Sequence, residues 1–269
     1  MSLRSAQDYS GISQSSRLIF TTSWDDGHRL DLRLAELLAE HGARGTFYVP
    51  VKMEDRLAAP ELRSLRKLGM EIGAHTVNHV NLTKASDPLD ELVNGKRYLE
   101  DVLGEEITAF AYPFGKFDSH VSRLAQRAGY RLARTTVAFR TQQRFNPYKM
   151  PTSFQFVRCN RALHVRHALR EGNLSGLLTW CGRWRCETLL RRLAHHAIKD
   201  AYSSNGVFHI WGHSWEIDSH CLWKELAALL QEIEQQPGLV SMTNSEVVRA
   251  MAAPEKTPYS SIVNNSALK

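Results

Sequence analysis

Between residues 17 and 135, short apolar runs alternate with amphipathic stretches, and each amphipathic stretch stops at a glycine: Gly42, Gly69, Gly104 or Gly129. Leu30, Leu34, Leu37 and Leu38 recur at helical spacing, whereas the run 17–22 is of strand length and lacks that period. The pattern predicts strands at 17–22, 46–49, 71–74, 108–111 and 131–135, with helices at 30–40, 60–68, 88–103 and 119–128. Repeated strand-helix units of this kind build a parallel sheet, since each helix carries the chain back to the starting end of the next strand.

The rhythm breaks over 136–205, where a strand at 152–157 and helices at 162–170 and 186–202 are expected. It returns with a strand at 207–211, a helix at 222–233, a short strand at 239–240 and a last helix from Ser245. Seven or eight units favour closure over an open sheet. The expected fold is therefore α/β, a distorted (β/α)7-8 TIM-like barrel in a single domain. The barrel is expected over 17–253 with a basic helical insertion at about 136–205, preceded by an extension at 1–16 and followed by a polar, mobile tail at 254–269.

Apolar content of 43% and charged content of 23% are ordinary for a globular chain and exclude wholesale disorder. No apolar run is long enough to span a membrane. Residues 1–16 lack the apolar stretch of a secretory signal, which points to a cytoplasmic chain. Cys159, Cys181, Cys186 and Cys221 have no C-x2-C spacing and read as free thiols. The net charge of +6 conceals a concentration: residues 121–200 hold 16 Lys+Arg against 3 Asp+Glu, a balance of +13 that leaves −7 for the rest. An anionic partner is implied, either a phosphate- or carboxylate-bearing substrate or a headgroup surface contacted peripherally. Nucleic acid ranks last because no motif for it accompanies the arginines. A solvated helical face is the plain alternative.

The chemistry-bearing residues all follow predicted strands. Asp25-Asp26 come after the first, His75-Thr-Val-Asn-His79 after the third, Pro113-Phe114-Gly115 after the fourth and His213 after the strand at 207–211. In a parallel barrel these positions share one rim. Two imidazoles and a carboxylate bind a divalent metal, zinc being the expected ion, and leave a position for water whose pKa falls toward neutrality. His75 and His79, four residues apart, would face the ion from one helical turn. One aspartate can ligate while the other takes the proton of the bound water, and His213 has the pKa of a general acid. Glu216 or Asp218 can polarise it. Alternation puts His209, Trp211 and His213 on one strand face, with His209 and Trp211 expected in the core and Trp215 free to stack on a sugar ring.

Thr22-Ser-Trp-Asp25-Asp26-Gly27, then His75-Thr-Val-Asn-His79, then Tyr112-Pro113-Phe114-Gly115, in this order, resemble the polysaccharide deacetylase family, also called NodB-homology or carbohydrate esterase 4. The resemblance covers about 17–135 and resumes at 206–245. It implies a distorted barrel and a metal-dependent hydrolysis that removes an N-acyl group, usually acetyl, from an amino sugar. By position it implies Asp25 as base, Asp26, His75 and His79 as ligands, the Phe114 N–H as oxyanion donor and His213 as acid. Tyr112, Pro113 and Trp215 would border the substrate. The chain departs from the family twice. Ala111 stands where the third motif begins with arginine, so Asp25 must be oriented by another group. The Asp-Trp pair of the fourth motif has no match at 136–205, and Glu216 is expected to support His213 instead. With no export signal in view, the expected substrate is an amino-sugar small molecule or glycan precursor, possibly anionic, used for a cell-surface polysaccharide. A deformylase or cyclic-amide hydrolase of the same superfamily and a non-catalytic sugar-binding relative are the alternatives.

Overall fold

A computed structural model describes residues 18–252. The expected extension at 1–16 and tail at 254–269 lie outside the described residues. The central strand β1 (Leu18–Asp25) is buried along its whole length. One of its edges pairs with β7 (Val207–Gly212). The other pairs with β2 (Gly45–Val49) toward its C-terminal end and with β8 (Leu239–Ser241) at its start. Beyond β2 lie β3 (Glu71–Ala74), β4 (Ala109–Ala111) and β5 (Leu132–Arg134), and β6 (Phe154–Gln155) lies beyond β7; every pairing is parallel.

Residues 150–156 join the two ends of this curled sheet. Met150 N donates to Ala133 O and Thr135 N to Met150 O, while Ser153 N donates to His209 O and Phe156 N to Trp211 O. The same stretch therefore bonds β5 on one side and β7 on the other, closing the sheet. Only Phe154–Gln155 pairs as regular strand, which is why the strand expected at 152–157 is shorter.

Strand alternation sorts side chains into two cores. Phe20, Phe47, Ile72, Phe110 and Phe208 face the surrounding helices α1 (Asp31–Glu40), α2 (Ala59–Lys67), α3 (Pro88–Leu103) and α4 (Ser119–Arg127). Ile19, Tyr48, Ala111, Leu132, Met150 and Val207 fill the interior. Gly73 is needed there, because a Cβ on it would lie 2.5 Å from the Tyr48 ring. Helices α3 and α4 begin at side-chain caps, with Asp87 accepting from Asp90 N and Asp118 from Val121 N. The last helix, α10 (Asn244–Ala252), closes the bottom: Asn244 donates to Thr46 and Tyr48 and accepts from Thr21.

The insertion holds three helices, α5 (Arg161–Arg170), α6 (Leu174–Gly182) and α7 (Leu190–Ser203). The helix expected at 186–202 starts four residues later, and α6 was not expected. It is nucleated by Asn173, whose side chain accepts from Gly176 N. A short α8 (Ser214–Ser219) follows β7, then α9 (Trp223–Glu234). All four cysteines are free thiols.

Candidate active site

The rim at the C-terminal ends of the strands carries the site. β1 delivers Asp25 inward at its last position, and the chain then turns through Asp26 (φ 79°) so that the two adjacent carboxylates diverge. Asp26, His75 and His79 come together with their ligating atoms within 4.8 Å of one another. Asp26 Oδ1 is buried without a hydrogen-bond partner, 3.4 Å from His79 Nε2, while Oδ2 accepts from Trp215 Nε1 at 2.9 Å. His75 donates Nδ1–H to Ala111 O at 2.8 Å, which leaves Nε2 as the free lone pair. Burial, with His79 and Arg134 nearby, pushes the His75 imidazole down to about 4 against the opposing pull of Asp25 and Asp26, so it is neutral at pH 7. An orphaned buried carboxylate oxygen beside two neutral-capable imidazoles fits a divalent ion of the zinc class, with the outer hydrogen bonds that such ligands need.

The geometry of the histidine pair corrects one expectation. Residues 75–79 form a loop and not a helical turn, with Thr76 (φ 69°) and His79 (φ 51°) in the left-handed region. Glu91 on α3 explains why: its carboxylate accepts from Val77 N, Asn78 N and Asn78 Nδ2, holding the loop open. The His75 and His79 rings still lie 4.8 Å apart.

Asp25 is held by Arg134, the last residue of β5, whose Nη2 donates to Asp25 Oδ1. Arg134 is fully buried, and its guanidinium lies over the rings of Trp211 (4.9 Å) and Tyr48 (5.2 Å). Burial alone would raise the Asp25 carboxyl, but Arg134, aided by His75 and His213, outweighs it and holds it below the ordinary value. The arginine lacking at Ala111 is thus replaced from the neighbouring strand.

His213 follows β7. Its Nδ1–H donates to Glu216 Oε2 at 2.6 Å, and its Nε2 lies 3.8 Å from Asp26 Oδ2. Burial lowers its pKa, yet the Glu216 hydrogen bond and the charges of Asp25 and Asp26 prevail and raise it above the ordinary value. Gln155 donates to the same Glu216 oxygen and fixes the carboxylate. His209 sits lower in the barrel, donating to Pro151 O and accepting from Ser23 Oγ, away from the ligand set.

These groups open onto a cavity of about 450 Å³ whose far wall comes from the insertion, including Phe139, His164, His167 and Arg170. Phe114 (φ 58°) lines it, with its ring 4.6 Å from His79, and Trp215 forms another part of the wall. Gly115 is obligatory beside it, since a Cβ would lie 2.1 Å from Thr136 Oγ1. Tyr112 and Pro113, expected at the substrate, are buried instead. Tyr112 donates its hydroxyl to Tyr148 O and stacks on Phe117, so it serves the core.

Arg134, Gln155 and Glu91 are the site residues not anticipated from sequence. Arg134 carried a readable signal, because it shares a strand face with Leu132 in the predicted strand 131–135, and a cation at the inward C-terminal end of a barrel strand requires an anion opposite. Gln155 and Glu91 act across 61 and 13 positions and carry no such signal.

Comparison with known proteins agrees with this geometry. Residues 14–133 match the polysaccharide deacetylase family model. Similar to this deacetylase-like chain is the peptidoglycan-N-acetylglucosamine deacetylase of Bacillus cereus, 28% identical over 116 residues, which are 42% of this chain and 54% of that protein. The chain spans about half the length of the curated relatives it matches. Among solved structures, the family 4 acetyl xylan esterase of Clostridium thermocellum, in complex with a cobalt ion, superposes with a TM-score of 0.52 at 14% identity over 88% of this chain and 93% of that one. The peptidoglycan deacetylase PdaC of Bacillus subtilis gives 0.52 at 15% identity, over 90% and 94%. At such identities these structures speak for the fold alone. The family resemblance carried by the motifs is matched over residues 14–133, and the α/β barrel class is shown.

Proposed function

We propose that this deacetylase-like chain is a metal-dependent amide hydrolase that removes an N-acyl group, acetyl by preference, from an amino sugar. The observation that carries the proposal is the division of labour between adjacent aspartates. Asp26 is directed to the two histidines with one oxygen unpartnered, while Asp25 is kept ionised by Arg134. Asp26, His75 and His79 would hold the ion, which would supply Lewis acidity and lower the pKa of a water.

The remaining work falls to side chains. Asp25 accepts the proton of the attacking water. The backbone N–H of Phe114 donates to the oxygen that gains charge in the tetrahedral state. His213, whose Nδ1 is tied to Glu216, delivers the proton on Nε2 to the departing amine nitrogen. Trp215 and Phe114, 40% and 56% exposed, offer apolar faces for the sugar ring. Arg170 on the insertion wall offers a cation to a substrate with phosphate or carboxylate near the acylated sugar, such as a cytoplasmic precursor of a surface polysaccharide. No helix among the described residues is long and apolar enough to cross a membrane.

The zinc- or cobalt-loaded full chain, incubated with N-acetylglucosamine oligomers and separately with O-acetylated xylan, is expected to release acetate faster from the amide. Acetate from the ester alone would move the chain to a different bond class. Ligand binding without acetate from either would favour a sugar-binding protein.

A further inference from the structure

The insertion helix α5 has two working faces. His164, His167 and Ala168 look into the catalytic cavity. Arg161, Val165, Arg166 and Leu169 look the other way, where with Trp180 and Cys181 of α6 they form a shallow groove with an apolar floor. Around this groove the surface is unusual. Leu169 is 56% exposed, Leu174 61% and Leu178 73%, the last two one helical turn apart on α6 and so on one face. Scattered single leucines on a surface need no explanation, but three on one helical hairpin do.

Charge accompanies them. Residues 158–186 contain six arginines and one acidic residue, Glu171. Glu171 is turned to the cavity, where Thr136 donates to it. Among the described residues Arg166 and Arg185 form no ion pair, whereas Arg158 and Arg183 do. Exposed leucine beside unpaired guanidinium is the composition of a segment that lies in a lipid headgroup layer, with leucine below and arginine at the phosphates.

We propose that the α5–α6 hairpin docks the protein on an anionic phospholipid surface, with Leu169, Leu174 and Leu178 entering the headgroup layer. Charge selects this occupant. A second copy packed face to face would set arginine against arginine, and a nucleic acid would gain nothing from the leucines. Since α5 is also a wall of the cavity, docking holds the cavity about one helix diameter, roughly 10 Å, from the bilayer and favours a lipid-linked amino sugar. That last consequence rests on the proposed function; the docking itself does not.

Sedimentation of the full chain with phosphatidylcholine vesicles, with or without about 30% phosphatidylglycerol, tests the docking directly. Binding is expected only with the anionic lipid, and raising the salt from about 50 to about 500 mM should weaken it. The double change L174E/L178E, with folding verified by circular dichroism, should reduce it by about tenfold or more, as should R166E/R185E. Neither pair touches the catalytic groups, so hydrolysis of a free soluble substrate should be unchanged. Absence of binding to anionic vesicles, or binding indifferent to the leucine pair, overturns the proposal. So does a wild-type dimer that L178E dissociates, which would make the face a self-contact, or binding to duplex DNA that only the arginine pair abolishes. Loss of hydrolysis on every substrate, with vesicle binding intact, would count against the proposed function and leave the docking standing.

Discussion

Arg134, at the end of β5, donates to Asp25, at the end of β1, from a position fully sealed from solvent. The family arginine missing at Ala111 is supplied one strand further round the barrel. A buried carboxylate deprived of its cation would protonate more readily, so Arg134→Gln should move the acid limb of the kcat/KM profile to higher pH. It should also lower kcat/KM on the order of a hundredfold at neutral pH. Breaking a buried pair costs about 3–5 kcal/mol, so the thermal midpoint should fall as well. A purely structural Arg134 would lower the midpoint and leave the position of the acid limb unchanged.

The raised pKa of His213 depends on Glu216. Neutralising that partner in Glu216→Gln should bring His213 down, so the basic limb of the pH profile should shift to lower pH and turnover should fall by about tenfold or more. Bound metal should remain. An unmoved basic limb would remove Glu216 from the mechanism.

Trp215 was expected to stack on a sugar, yet its indole N–H also fixes Asp26 Oδ2. Trp215→Phe keeps the ring and loses the donor. Metal affinity measured by competition with a chromophoric chelator should fall by about 10- to 100-fold, the range found when partners of a metal ligand are removed. Unaltered affinity would restrict Trp215 to the cavity wall.

Legibility from sequence followed the range of the forces. The strands and helices of the first half were readable because local period and terminal glycines agree with the tertiary structure. Asp25, Asp26, His75, His79 and His213 were readable because strand ends in a parallel barrel share a rim. Local spacing reads 75–79 as a helical turn, but the loop's shape is imposed by Glu91 on α3, through a contact across 13 positions that the spacing does not show. Tyr112 was placed at the substrate by motif position, but its aromatic partner Phe117 and its acceptor Tyr148 O draw it into the core. Helix α6 was hidden because it is apolar on several sides and lacks an amphipathic stripe.

Two buried histidines make stability depend on pH. Burial, followed by Arg134, lowers His209 to about 3, and burial, followed by His167, lowers His164 to about 4. Each remains neutral in the folded protein while the unfolded chain protonates below about 6.5, so the unfolded state binds more protons and stability declines as pH falls through that value. At pH 5 the loss is about 2 kcal/mol for the fully buried His209 and smaller for His164, whose charge water partly screens. Thermal midpoints should drop between pH 7 and pH 5, and His209→Asn should flatten that slope; an identical slope would show that other groups govern it.

The two aspartates allow the most direct test. Asp25→Asn removes the proposed base and leaves Asp26, His75 and His79 in place. Bound zinc and acetate released from an N-acetylated amino-sugar oligomer should be measured on the same preparations of wild type and variant. The expected result is equal zinc stoichiometry with acetate release reduced by about a thousandfold or more. Full acetate release by the variant, or loss of its zinc together with its activity, would contradict the separation of roles between Asp25 and Asp26.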